Sequence, residues 1–120
     1  MEIRIKEIVA KLHYEYVLIE VKTSCNLGDY ILFDTPYAKD GTVSNEVRHS
    51  FIFPNSKVKK GDLVFLYSGK GQQQSSSHGM ITAHKFYWGL DEHVWNNDGD
   101  CALLVKIMKS ESFTVTRKVE

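Results

Sequence analysis

The sequence predicts an all-β fold, a sandwich of two sheets built from about eight short strands. Three observations support it. Apolar residues recur with a period of two, which is the pattern of strands. Residues that favour turns separate these runs, and no stretch of ten or more residues has helical periodicity. Regularly spaced short strands are typical of sandwiches and barrels, and we take the sandwich as the predicted fold.

The strands can be assigned in chain order. Ile3 and Ile5 alternate with charged neighbours, and the apolar positions of Tyr16–Lys22 place Val17, Ile19 and Val21 on one face. Each later run is apolar and ends at a polar residue, glycine or proline. These runs are Asp29–Asp34, Arg48–Phe53, Asp62–Tyr67, His84–Trp88, Ala102–Met108 and Phe113–Val119.

Two loops and one corner stand out between these strands. Pro36–Glu46 is long and polar, and Gly69–Gly79 is a low-complexity stretch that we expect to be mobile. Trp95 precedes Asn96–Asp100, whose Asn, Asp and Gly residues favour a tight Asx turn. We therefore predict a buried Trp95 that anchors a corner before the Ala102 strand.

Size and charge limit the function. The chain has 120 residues, which predicts one domain over residues 1–120, and 15 basic residues balance 15 acidic ones. A zero net charge argues against a dedicated nucleic-acid binder. No apolar run approaches the length of a membrane span, so we expect a cytoplasmic protein, or a secreted or surface protein if a leader was removed.

The two cysteines are too few for a disulfide framework. Cys101 opens an apolar strand, which predicts a buried free thiol. A Cys25–Cys101 bridge stays open as an alternative.

No reactive motif emerges, so we predict no catalytic residue, metal or cofactor. Gly69–Gly71 lacks the other residues of a phosphate-binding loop. Asn96–Asp100 offers oxygen ligands for calcium, but Val94 occupies a position where an EF-hand needs one. A zinc site from His84 and His93 has no metal-binding spacing.

Some residues are candidates for contact with a partner. Four aromatic residues near a glycine-rich corner could stack on sugars or unpaired bases if exposed, although burial is the better interpretation; they are Phe86, Tyr87, Trp88 and Trp95. The predicted partner-binding residues are Lys57, Lys59, Lys60, Lys70 and Trp88.

The order of several short segments resembles that of the lamin tail domain over nearly the whole chain. The most specific are Phe53-Pro54, the Gly61-Asp62 start of a strand, and the corner Trp95–Asp100. The resemblance implies an immunoglobulin-like sandwich that acts in binding or scaffolding, with protein or DNA partners and no catalytic set. The rod by which lamins polymerise is not in this sequence, so the resemblance does not imply filament formation, and Gly71–His78 resembles no known binding motif.

Three functions compete. The first is a non-enzymatic interaction or scaffolding module that binds a protein partner through sheet edges or loops. The second is a nucleic-acid-binding accessory module in which Lys57, Lys59 and Lys60 contact phosphates. The third, a small hydrolase, requires acids and histidines to converge in the fold.

Overall fold

The computed structural model describes residues 1–36, 48–95 and 100–117, which form an all-β sandwich. The only helical element in these ranges is a three-residue 3-10 turn, Leu27–Asp29. None of the described residues form a helix long and apolar enough to cross a membrane. The ten strands are β1 (Ile3–Ala10), β2 (Glu15–Val21), β3 (Cys25–Asn26), β4 (Tyr30–Pro36), β5 (His49–Ile52), β6 (Lys57–Val58), β7 (Leu63–Tyr67), β8 (Gln74–His78), β9 (Ile81–Tyr87) and β10 (Asp100–Lys106).

The strands form one wide sheet and one narrow sheet. The wide sheet has five strands in the order β1-β2-β7-β9-β8, and the narrow sheet has three in the order β10-β4-β5. β3 and β6 form a separate two-stranded ladder. All pairs are antiparallel except β7 and β9, which run parallel.

The core lies between the inner faces of the two sheets. Val17 and Ile19 of β2 are fully buried, as the period-two pattern requires. Phe53 and Phe86 meet edge to face with ring centroids 5.4 Å apart, which joins the two layers. Trp95 is 6% exposed and closes one end of this core. No residue of β8 belongs to it.

A carboxylate joins the two sheets at the end where β1 begins. Glu2 accepts hydrogen bonds from the Tyr30 hydroxyl of β4 and the Lys106 ammonium of β10, the latter at 2.8 Å. These two hydrogen bonds lower the pKa of Glu2 to about 2. The β10 end of the narrow sheet is therefore fastened beside β1, and β5 lies over β9, where Phe51 contacts Phe86.

The predicted all-β sandwich and the burial of Trp95 are confirmed. Cys101 is buried, and both cysteines are free thiols, so the Cys25–Cys101 bridge is not formed. The predicted loop Pro36–Glu46 lies outside the described residues from position 37 onward. The predicted Asx turn and calcium ligands at positions 96–99 lie outside them too.

Two local predictions are wrong. The described part of the predicted strand Phe113–Val119 is not a strand, and Phe113 and Val115 are 92% and 85% exposed. Alternation of apolar and polar residues does not by itself produce a strand, because a strand also needs a neighbouring strand to pair with. Conversely, Gly69–Gly79 is not wholly a loop: Gly79, at φ +68°, turns the chain so that β8 pairs with β9.

Replacing Trp95 with alanine should destabilise the fold by about 3–5 kcal/mol, because it removes a large ring from the closed end of the core. Urea denaturation gives the free energy of unfolding. Phe113→Ala is the matched control, since that ring is exposed, and its stability should equal that of the parent. Equal stability of Trp95→Ala and the parent would contradict the assigned role.

Candidate partner-binding surface

The outer side of β8 is an open strand edge. All five residues, Gln74–His78, are exposed, none is an acid, lysine, arginine or proline, and the register with β9 is unbroken. Natural sheets usually protect an edge with charges, proline, a bulge or a short strand. β8 has none of the first three. We call the outward backbone groups of Gln74–His78 the open edge.

The other edge strands carry such protection. β1 has a register shift between Ile5 and Glu7 and is rich in charged residues. β5 has only four residues, and Pro54 follows shortly after it. β10 places the charged residues Asp100 and Lys106 at its two ends. β8 therefore differs from these three strands.

The register identifies which backbone groups of β8 point outward. The two-residue turn Gly79-Met80 makes His78 and Ile81 a hydrogen-bonded pair, and the pairs alternate from there. Ser75 and Ser77 therefore stand at non-hydrogen-bonded positions, with their N–H and C=O groups directed away from β9. The hydrogen bond of Thr82, the partner of Ser77, supports this alternation. Its N–H points away from β8 and donates to Asp62 at 3.0 Å.

A line of side-chain hydrogen bonds ties β8 to the sheet. Ser75 Oγ lies 3.1 Å from His84 Nδ1, and His84 Nε2 lies 3.0 Å from Asp62 Oδ2. Burial raises the pKa of Asp62, but hydrogen bonds from His84 and two backbone N–H groups outweigh it and keep the pKa low. These hydrogen bonds connect a serine, a histidine and an aspartate in the same order as the catalytic triad of a serine hydrolase. Ser75, however, stands on an exposed strand, and we interpret the line as an anchor for β8.

Aromatic rings cover the outer face of the wide sheet. Tyr16 and Tyr67 lie 5.2 Å apart, Tyr67 stacks on Tyr87 at 5.2 Å, and Tyr14 stacks on Tyr16 at 6.3 Å. We call these four residues the tyrosine array. At its β9 side, Gly71 lies flat against the Tyr87 ring, where an added Cβ would come within 2.4 Å of the ring carbons. The array therefore extends to the segment that leads into β8.

Three shallow clefts of about 170, 400 and 200 Å³ lie at one end of the array, and all three include Glu15. The Glu15 carboxylate is buried and accepts the backbone N–H groups of Val94 and Trp95. His93 Nδ1 lies 3.4 Å from it. Glu15 is therefore occupied as an anchor for the 93–95 segment, and none of the three clefts includes Ser75.

The predicted partner-binding residues do not form one surface. Lys57, Lys59 and Lys60 are exposed together before β7, where Lys59 Nζ lies 3.7 Å from Asp62. Lys70 follows the other end of β7 and pairs with Asp91 at 2.9 Å.

Trp88 is half-buried and lies at the Lys70 end of β7, where its backbone N–H donates to the Tyr67 carbonyl at 2.8 Å. Its Nε1–H donates to the Ser50 carbonyl at 3.0 Å, and its ring packs against Phe51 and Trp95. The ring therefore packs against the side of the core and is only partly exposed.

Sequence reasoning missed the buried carboxylates of Glu15, Asp34 and Asp62 and the open edge. Glu15 is the first residue of an apolar strand, and Asp62 lies between a turn and another apolar strand. Their position next to buried strands could have indicated that these carboxylates are buried. The strand Gln74–His78 could not be predicted in this way, because it contains no alternating apolar residues.

No protein-family model, curated protein or solved structure matches this chain. The resemblance to the lamin tail domain therefore stays a prediction.

His49 should make the stability depend on pH. Its Nδ1 lies 3.0 Å from the buried Asp34 carboxylate and its Nε2 lies 3.0 Å from Glu92. The hydrogen bond to Asp34 outweighs burial and, with that to Glu92, raises the pKa of His49 above 6.5. The stabilisation is thus fully present below pH 6.5 and is lost as the pH rises through the raised pKa.

Urea unfolding at a series of pH values tests this with the variant His49→Gln. The parent's advantage over the variant should shrink as the pH rises. His13→Gln is the control, since His13 is exposed and makes no ion pair with a described residue. An advantage that stays constant with pH would show that His49 is not charged in the folded protein.

Proposed function

We propose that this chain is a non-enzymatic interaction module that binds an extended segment of a protein partner as an additional strand beside β8. The observation that carries the proposal is the open edge. It belongs to a strand with an unbroken register and without acid, lysine or arginine, and the backbone groups of Ser75 and Ser77 point to solvent. Strand addition uses such groups for affinity and uses the neighbouring side chains for specificity.

The open edge also suits this role energetically. Ser75 and Ser77 present two N–H and two C=O groups, and four backbone hydrogen bonds contribute roughly 2–6 kcal/mol before the cost of association. That sum supports only weak binding, so side chains of the partner must add contacts. The small serines leave room for them on both faces of β8.

The nucleic-acid alternative has less support. Among the predicted partner-binding lysines, Lys59 is paired with Asp62, and Lys70 lies at the other end of β7, where it pairs with Asp91. A few phosphate contacts would give weak, salt-sensitive binding. Oligonucleotide binding that survives moderate salt, and is lost when Lys57, Lys59 and Lys60 become alanine, would favour this alternative.

Replacing Ser77 with proline should abolish strand addition without unfolding the protein. Proline removes the outward N–H, and its ring fills the space that an added strand needs. The ladder to β9 survives, because Ser77 is at a non-hydrogen-bonded position. The probe is a set of ten-residue peptides selected from a random displayed library on the parent protein. We expect them to bind Ser77→Pro at least about tenfold more weakly.

Ser77→Ala is the matched control, since it keeps the backbone and should keep the affinity. Peptide binding should also shift the amide NMR signals of Ser75 and Ser77. Failure to select any peptide, or peptides that bind Ser77→Pro as well as the parent, would overturn the proposal.

A further inference from the structure

We propose that the segment bound at the open edge is the stretch Ser112–Arg117 of a second copy of this chain. We call this stretch the tail segment. The inference rests on the proposed function and names its partner. It joins two features of the chain that nothing else in the described structure uses, an edge without a strand and a strand-like segment without an edge.

The tail segment has the sequence of a strand. Phe113 and Val115 alternate with Thr114 and Thr116, so one face is apolar and three of these four residues are β-branched. Phe113 is 92% and Val115 is 85% exposed. None of the described residues from Met108 to Arg117 makes a hydrogen bond or an ion pair. Pairing that covers the face formed by these two side chains would remove apolar surface from water and so lower the free energy.

The tail segment leaves the domain on the side opposite the open edge. The Ile107 N–H donates to the Asp29 carbonyl at 2.6 Å, and Lys106 pairs with Glu2, which precedes β1. β1 and β8 are the two outer strands of the wide sheet, four strand spacings apart. That distance is roughly 19 Å at the usual spacing.

The reach of the chain then favours a second copy over its own β8. The chain from Ile107 to Phe113 spans at most roughly 21 Å when fully extended. A chain of this length could reach from the β1 side to β8 only along a straight line through the domain. The core lies on that line, so the tail segment cannot reach the open edge of its own copy. The nearer edge, β1, has a register shift at Ile5 and carries charged residues, so it is a poor acceptor.

The pairing fits the composition of both strands. β8 has no formal charge unless His78 is protonated, and the tail segment carries only Arg117, so no like charges oppose each other at neutral pH. Two copies that exchange tail segments reciprocally close into a dimer, whereas one-way exchange continues from copy to copy. The two outcomes differ in the mass of the assembly.

The test compares the self-association of the full chain with that of two variants by sedimentation velocity over a wide range of concentration. Phe113→Glu with Val115→Glu removes the apolar face of the tail segment, and Ser77→Pro blocks the open edge. Each variant should associate at least about tenfold more weakly than the parent. Met108→Glu is the control, because it adds a charge at another exposed apolar residue outside the tail segment.

An equimolar mixture of the two variants makes the test specific. One retains an intact open edge and the other an intact tail segment, so the mixture should form a one-to-one complex that neither variant forms alone. A parent that stays monomeric at all concentrations would overturn the inference. So would association that persists in either variant, or a mixture that stays monomeric.

Failure of this inference can be told apart from failure of the proposed function. In one outcome the parent is monomeric, and the selected peptides bind the Phe113→Glu/Val115→Glu protein but not the Ser77→Pro protein. The open edge then binds another protein, so the proposed function stands and this inference fails. If Ser77→Pro affects neither the peptides nor self-association, both proposals fail.

Discussion

The buried core ends at β9, and this limit decides what the rest of the structure can do. Phe86 is the last strand residue on that side of the wide sheet to enter the core, and no residue of β8 does. β8 is therefore held by its backbone ladder with β9 and by the hydrogen bond between Ser75 and His84. A strand attached in this way keeps its second row of backbone groups in water, where another strand can use them.

Buried or ion-paired carboxylates fix the elements around this free strand. Glu2 ties the start of β1 to both Tyr30 and Lys106, and Glu15 holds the backbone N–H groups of the 94–95 segment. Asp62 holds the start of β9 and, through His84, reaches β8. A buried carboxylate costs free energy unless it is hydrogen-bonded, so each one specifies a local arrangement.

Much of the sandwich was predictable from local pattern. Val17, Ile19 and Val21 pointed to a buried face because burial and alternation share a period, and Trp95 was identifiable as an anchor because of its size. Pairing was not predictable. The serines of β8 carry no apolar signal, yet a hairpin turn makes them a strand, while Phe113 and Val115 have the signal and no partner within the described chain. The lysines were grouped by sequence, and the length of β7 separates Lys70 from the rest.

Amide hydrogen exchange at β8, followed residue by residue with NMR, tests the central claim most directly. In the monomer, Ser76 and His78 should be protected by β9, whereas Ser75 and Ser77 should exchange freely. When copies associate or a selected peptide binds, the amides of Ser75 and Ser77 should become protected with no loss at Ser76. Protection of Ser75 and Ser77 in the monomer, or their free exchange in the complex, would contradict the account.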